Sequence, residues 1–174
     1  MGIFYFDRTL LAFEERFQWD SALEYIEELY LEGKDTRVLY SLIGFSWFYL
    51  IEGPCVSRMY ENDPNCMALD CWKKYIDIGE QQAYGDAFFN FIAGYTLSLH
   101  GLYINEEYEK KGNLFIKRCL SISDDVLLQQ LAKNFLMNEH SKKHIPVENG
   151  KTICEHLFND RSLLDGYFNE IYAS

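Results

Sequence analysis

Tyr40-Ser41-Leu42-Ile43-Gly44-Phe45-Ser46-Trp47 decides the class of fold. Tyr40, Ile43, Gly44 and Trp47 fall at i, i+3, i+4 and i+7, the spacing of one helix face. A glycine on that face removes a Cβ and lets a neighbouring helix come close. Further along, Asn90-Phe91-Ile92-Ala93-Gly94-Tyr95-Thr96-Leu97 repeats the register. Each segment is followed by a second helical stretch with a small residue four positions before a large one. The first runs from Ala68 to Trp72 and on to Tyr75, the second from Gly112 to Ile116 and on to Cys119. The tails align as well: Lys73-Lys74-Tyr75-Ile76-Asp77-Ile78 against Lys117-Arg118-Cys119-Leu120-Ser121-Ile122. In such a pair the glycine admits the second helix, the small residue fills the gap and the large one closes the layer. A single hairpin of this kind cannot bury its own apolar face, so neighbours must stack.

On these residues the segment 20–122 resembles the tetratricopeptide family of helical hairpins. Two departures stand out: Asn90 occupies an aromatic position, and the proline that ends each repeat is missing. The resemblance implies an all-α fold of stacked antiparallel helical hairpins; the other reading of the same pattern is an irregular helical bundle. Composition agrees with both. The chain has 21 Leu but only 4 Val and 4 Thr, so straight-chain helix formers outweigh β-branched residues. Helical periodicity predicts helices near 7–18, 20–32, 36–52, 66–80, 84–102, 105–121, 124–138, 150–158 and 162–172. Asp20, Asp35 and Ser123 are the expected N-caps, since their side-chain oxygens can accept free first-turn N–H groups. Gly33, Gly53 and Gly79 are the expected stops. The length fits one domain over 1–174, with helices of 123–174 packing on the repeat-like hairpins.

The formal charge of −11 argues against a nucleic-acid partner, because phosphate would repel such a surface. Five cysteines, Cys55, Cys66, Cys71, Cys119 and Cys154, are odd in number and lack C-x-x-C spacing, which points to reduced thiols in the cytoplasm. The first 17 residues carry Asp7, Glu14 and Glu15 and no basic leader, unlike a signal peptide. Two uncharged stretches occur. Val38–Ile51 is 14 residues, short of the roughly 20 that span a bilayer, and Ala87–Ile104 is interrupted by Asn90, Thr96, Ser98 and His100. Both read as buried core helices, and no membrane association is expected.

The first 32 residues hold eight acids, Asp7, Glu14, Glu15, Asp20, Glu24, Glu27, Glu28 and Glu32, against Arg8 and Arg16. Asp20, Glu24, Glu28 and Glu32 fall at i, i+4 spacing, with Glu27 beside them, and form one acidic stripe. Like charges so spaced repel by about 0.2–0.5 kcal/mol per pair in an isolated helix. The stripe is therefore either a solvated face or a docking surface for a cationic protein, whose encounter it would accelerate. The loop from Glu52 to Cys66 is long for a helix connection and offers Arg58, Met59 and Tyr60 between Pro54 and Pro64. Arg58 and Tyr60 join Glu14, Glu15, Asp20, Glu24, Glu27, Glu28 and Glu32 as the candidate partner-binding set. His140 and His144, with His156 nearby, have a spacing that can bind zinc. Lys142 and Lys143 lie between them and Pro146 ends the helix there, so no metal site is expected. His100 reads as a hydrogen-bonded core residue. No phosphate loop, H-E-x-x-H or G-x-S-x-G pattern occurs. Neither an enzymatic activity nor a cofactor is expected.

In size, acidity, composition and helical content, the whole chain resembles the immunity proteins of bacterial toxin systems, including those of contact-dependent growth inhibition. That resemblance implies a cytoplasmic protein that binds and blocks a toxin domain, often a basic nuclease; it carries over no individual residue. Two alternatives remain open at this point: a tetratricopeptide-like chaperone or adaptor holding an extended peptide, and a small helical metal-dependent enzyme built on His140, His144 and His156.

Overall fold

A computed structural model describes residues 2–52, 66–104, 106–141, 147–158 and 162–173. Among them every regular element is helical, and no strand occurs. The helices are α1 (Arg8–Glu15), α2 (Trp19–Gly33), α3 (Thr36–Glu52), α4 (Met67–Gln82), α5 (Ala87–Ile104), α6 (Glu106–Ile122), α7 (Val126–Ser141), α8 (Gly150–Leu157) and α9 (Leu163–Tyr172). The protein is all-α, as the periodicity requires. The chain divides into two compact units: an N-terminal unit of Phe4–Ala83 with Ser162–Leu164, and a C-terminal unit of Met1–Ile3, Tyr84–Arg161 and Asp165–Ser174.

The N-terminal unit is organised around α3, which is buried from Val38 to Leu50. Trp19 at the start of α2 meets Phe45, Phe48 and Tyr49 near the end of α3, so these two helices run antiparallel. Glu27 of α2 reaches Lys74 and Tyr75 of α4, while Tyr30 reaches Gln82, so α2 and α4 run parallel. This alternation is that of stacked antiparallel hairpins. Asp35 caps α3 as expected, its carboxylate accepting the Arg37 N–H at 2.7 Å. Two expected boundaries move. Asp20 lies inside the first turn of α2, which begins at Trp19 after Gln18. Helix α4 runs through Gly79 to Gln82, the Gly79 carbonyl still accepting the Ala83 N–H, because Gly79 keeps ordinary helical geometry. Lys34 supplies the left-handed residue that ends α2.

The two glycines of the repeat behave differently. A Cβ at Gly94 in α5 would meet Ile116 at 2.8 Å and the Gly112 carbonyl at 2.9 Å. A Cβ at Gly112 would in turn overlap the Ser98 side chain and backbone and the Gly94 carbonyl. As α5 advances from 94 to 98, its contacts on α6 retreat from 116 to 112, so this hairpin is antiparallel with its backbones in close approach. Gly44 is a correction. The atoms nearest its missing Cβ belong to Phe4 and Leu164, each 2.9 Å away, rather than to Ala68 of the following helix. Residues remote in sequence took the space that the hairpin logic assigned to a neighbour. In the C-terminal unit Ser123 is likewise displaced as a cap: Asp125 accepts the N–H groups of Leu127 and Leu128. Tyr95, Phe135, Phe158, Phe168 and Tyr172 form that unit's aromatic centre.

Candidate functional site

The charge is unevenly divided. The N-terminal unit carries fifteen acidic and seven basic residues, a net −8 of the total −11. Its acids sort by how α1 and α2 bury their faces. On α2 the residues Ala22, Leu23, Ile26 and Tyr30 turn inward. The 3.6-residue period then places Asp20, Glu24 and Glu28 outward, with Leu31 and Glu32 in the following turn. Asp20, Glu24, Glu28 and Glu32 are all exposed, as is Glu15 at the end of α1. Asp20 accepts the Tyr49 hydroxyl at 3.0 Å. Arg16 and Lys34 flank the face at its ends. Lys34 Nζ lies 5.4 Å from the centre of the Tyr30 ring.

Two of the expected surface acids have other occupations. Glu14 is a correction: it shares the buried face of α1 with Leu10, one turn earlier, and is only 3% exposed. Its carboxylate accepts the Leu163 N–H at 3.2 Å, so it serves the N-terminus of α9 and is not available to a partner. Glu27 is half-buried, and one carboxylate oxygen takes both Lys74 Nζ at 2.6 Å and the Tyr75 hydroxyl at 2.8 Å. Burial works to raise the Glu27 carboxyl, but Lys74 and Tyr75 outweigh it and hold the group below its ordinary value. Asp7 is similar. Burial opposes its charge, yet the Leu10 N–H and the hydroxyls of Tyr25 and Tyr5 hold its carboxyl low. Asp7 therefore caps α1 and ties it to α2. Arg58 and Tyr60, and the loop they belong to, lie outside the described residues.

Sequence reasoning missed two members of the acidic face. Phe17 is 71% exposed and Leu31 56% exposed. Phe17 sits in the turn between α1 and α2 with φ at 55°, a left-handed value uncommon for a bulky side chain. Three bonds fix that turn: Arg16 N–H and Gln18 N–H to the Phe13 carbonyl, and Phe17 N–H to the Glu14 carbonyl. The Phe17 ring leans on Trp19, which is stacked on Tyr49 at 5.3 Å. The available signal was an aromatic among Glu15, Arg16 and Gln18 at a helix break, and a leucine at i+7 from Glu24 within the acidic stripe.

Elsewhere, His156 pairs with Asp125, Nε2 to Oδ2 at 3.0 Å. The side chains of His100 and His140, and His144 altogether, lie outside the described residues. Among the described residues no group of three or more His, Cys, Asp or Glu could hold a metal ion, and no helix is long and apolar enough to cross a membrane. Cys66, Cys71, Cys119 and Cys154 are free and buried. Burial pushes Cys71 up to about 11, Cys119 to about 12 and Cys154 to about 11. None of these three is poised as a thiolate nucleophile. No family model, curated protein or solved structure matches the chain.

Proposed function

We propose that this chain is a protein-binding module, an immunity protein that binds and neutralises a basic toxin domain, such as a nuclease, in the cytosol. The observation that carries the reading is the exposed row Glu15, Asp20, Glu24, Glu28 and Glu32, on a unit whose net charge is −8. No basic side chain is paired with Glu15, Glu24, Glu28 or Glu32 among the described residues, so their field projects outward. Within a Debye length, about 10 Å at 0.1 M salt, such a row attracts a cationic surface and speeds docking. A toxin that binds nucleic acid presents a cationic cleft of this sort, and the carboxylates would occupy it in place of phosphates. On this reading the chain performs no reaction of its own.

The adaptor alternative has less support. Its peptide would need an open face on the first helix of a hairpin, and α3 is buried from Val38 to Leu50. Co-expression with the product of the adjacent gene tests the proposal. The chain should restore growth, and its association rate with that product should fall steeply between low and high salt. A neighbour without toxicity, or an association rate indifferent to salt, would refute it.

A further inference from the structure

The exposed side of α2 is a charged row with an apolar group at each end. Phe17 precedes the helix, Leu31 lies in its last turn, and Asp20, Glu24 and Glu28 lie between them. The helix has 15 residues and, at 1.5 Å per residue, extends about 22 Å. Its other side is committed to the core of the unit through Ala22, Leu23, Ile26 and Tyr30. Three backbone bonds fix the turn that carries Phe17, and its ring lies 6.3 Å from that of Trp19. Resting on the reading of this face as a docking surface, we propose that α2 receives one lysine- or arginine-rich amphipathic helix of a partner protein. Its basic side chains pair with Asp20, Glu24, Glu28 and Glu32, and its apolar side chains cover Phe17 and Leu31.

Charge selects this occupant over the others. A second copy using the same face would set carboxylate against carboxylate. A purely cationic extended chain would satisfy the acids and leave Phe17 and Leu31 in water. Arg16 and Lys34 stand at the two ends of the row, so the partner's basic groups belong to the middle of its helix, opposite Glu24 and Glu28.

Two probes test the proposal by calorimetry: a synthetic Lys/Leu amphipathic helix of about 15 residues, matched to the length of α2, and an oligolysine of equal charge. Glu24→Gln with Glu28→Gln should weaken both probes and flatten their salt dependence. Phe17→Ala with Leu31→Ala leaves the charge unchanged; it should weaken the Lys/Leu helix about tenfold and leave oligolysine unaffected. Both pairs are exposed, and circular dichroism checks that the variants stay folded. Equal binding of the two probes by the wild type, or an apolar pair without effect, overturns the proposal. Cell protection is a separate readout. A chain that fails to protect yet keeps the Phe17 and Leu31 dependence loses the toxin and retains the helix-docking face.

Discussion

Gly112→Ala is the sharpest test of the repeat-like architecture. The added methyl would overlap the Ser98 hydroxyl and backbone nitrogen, and it would lie 2.7 Å from the Gly94 carbonyl. Two of those three contacts are backbone, so no side-chain rotation relieves them, and α5 and α6 must separate. Overpacking of this kind costs about 1–3 kcal/mol. The better helix propensity of alanine returns up to about 1 kcal/mol. With backbone at two of the three contacts the upper end of that range applies, and the expected outcome is a net loss of about 2 kcal/mol, at roughly 2–4 °C in Tm per kcal/mol for this chain length. Gly44→Ala should cost less. The atoms nearest its methyl are side-chain atoms of Phe4 and Leu164 and include no backbone, so the strain falls on two buried side chains and not on a helix–helix crossing. Urea unfolding followed by far-ultraviolet circular dichroism gives the measurement. Trp19, Trp47 and Trp72 all belong to the N-terminal unit, so tryptophan fluorescence follows that unit separately. A Gly112→Ala chain as stable as the wild type, or a Gly44→Ala chain damaged more, would show that the α5–α6 crossing is not as close as described.

Two further outcomes follow from buried charge and buried sulfur. Asp7, Glu27 and Asp125 all have folded values below the ordinary ones of 3.8, 4.5 and 3.8. A depressed carboxylate contributes stability above its ordinary value and loses it as pH falls through the lowered one. Stability against urea should therefore drop on acidification below about pH 4.5, and Asp7→Asn, which keeps one oxygen to cap α1 but turns an NH2 toward the Tyr25 and Tyr5 hydroxyls, should both flatten that drop and cost about 1 kcal/mol at neutral pH. An acid limb with the same slope in the variant would contradict this. Cys71, Cys119 and Cys154 should resist iodoacetamide at pH 8 in the native protein and react promptly once unfolded, as read by mass spectrometry. Native labelling of any of the three at the unfolded rate would contradict their burial.

Helix class was legible because it rests on local rules. The apolar period of α2 and α6 and the cap at Asp35 need only neighbours within a few positions, and the structure has them where the sequence places them. Gly94 was legible for the same reason, since its partner Gly112 lies in the very next helix. Gly44 was not. Phe4 and Leu164 fill its gap, and no periodicity within the hairpin encodes residues 40 positions upstream and 120 downstream. At α7 Asp125 takes the N–H groups of Leu127 and Leu128 in place of Ser123, whereas α2 starts before Asp20, after Gln18, whose side chain makes no cap bond.

The acidic face divides along the same line between local and distant causes. Asp20, Glu24, Glu28 and Glu32 are exposed because the inward positions of α2 are apolar, which the sequence states outright. Glu14 obeys the same period in α1 and is buried because Leu10 sets that helix's inward face one turn earlier. Such burial is tolerable only if the carboxylate is met by donors, and one of them, the Leu163 N–H, lies 149 residues away. A count of acids near the start of the chain therefore overstates the charge offered to a partner. Removing Glu14 from the set, and drawing Glu27 toward Lys74, concentrates the outward field on a single helix side. The same outward turn exposes Leu31 among the carboxylates, and the break after α1 exposes Phe17 beside them. Leu114 and Val126 are as exposed elsewhere on the chain, so exposure alone singles out nothing; what distinguishes Phe17 and Leu31 is the row of carboxylates between them, and that juxtaposition is the physical reason to test a cationic amphipathic partner on α2.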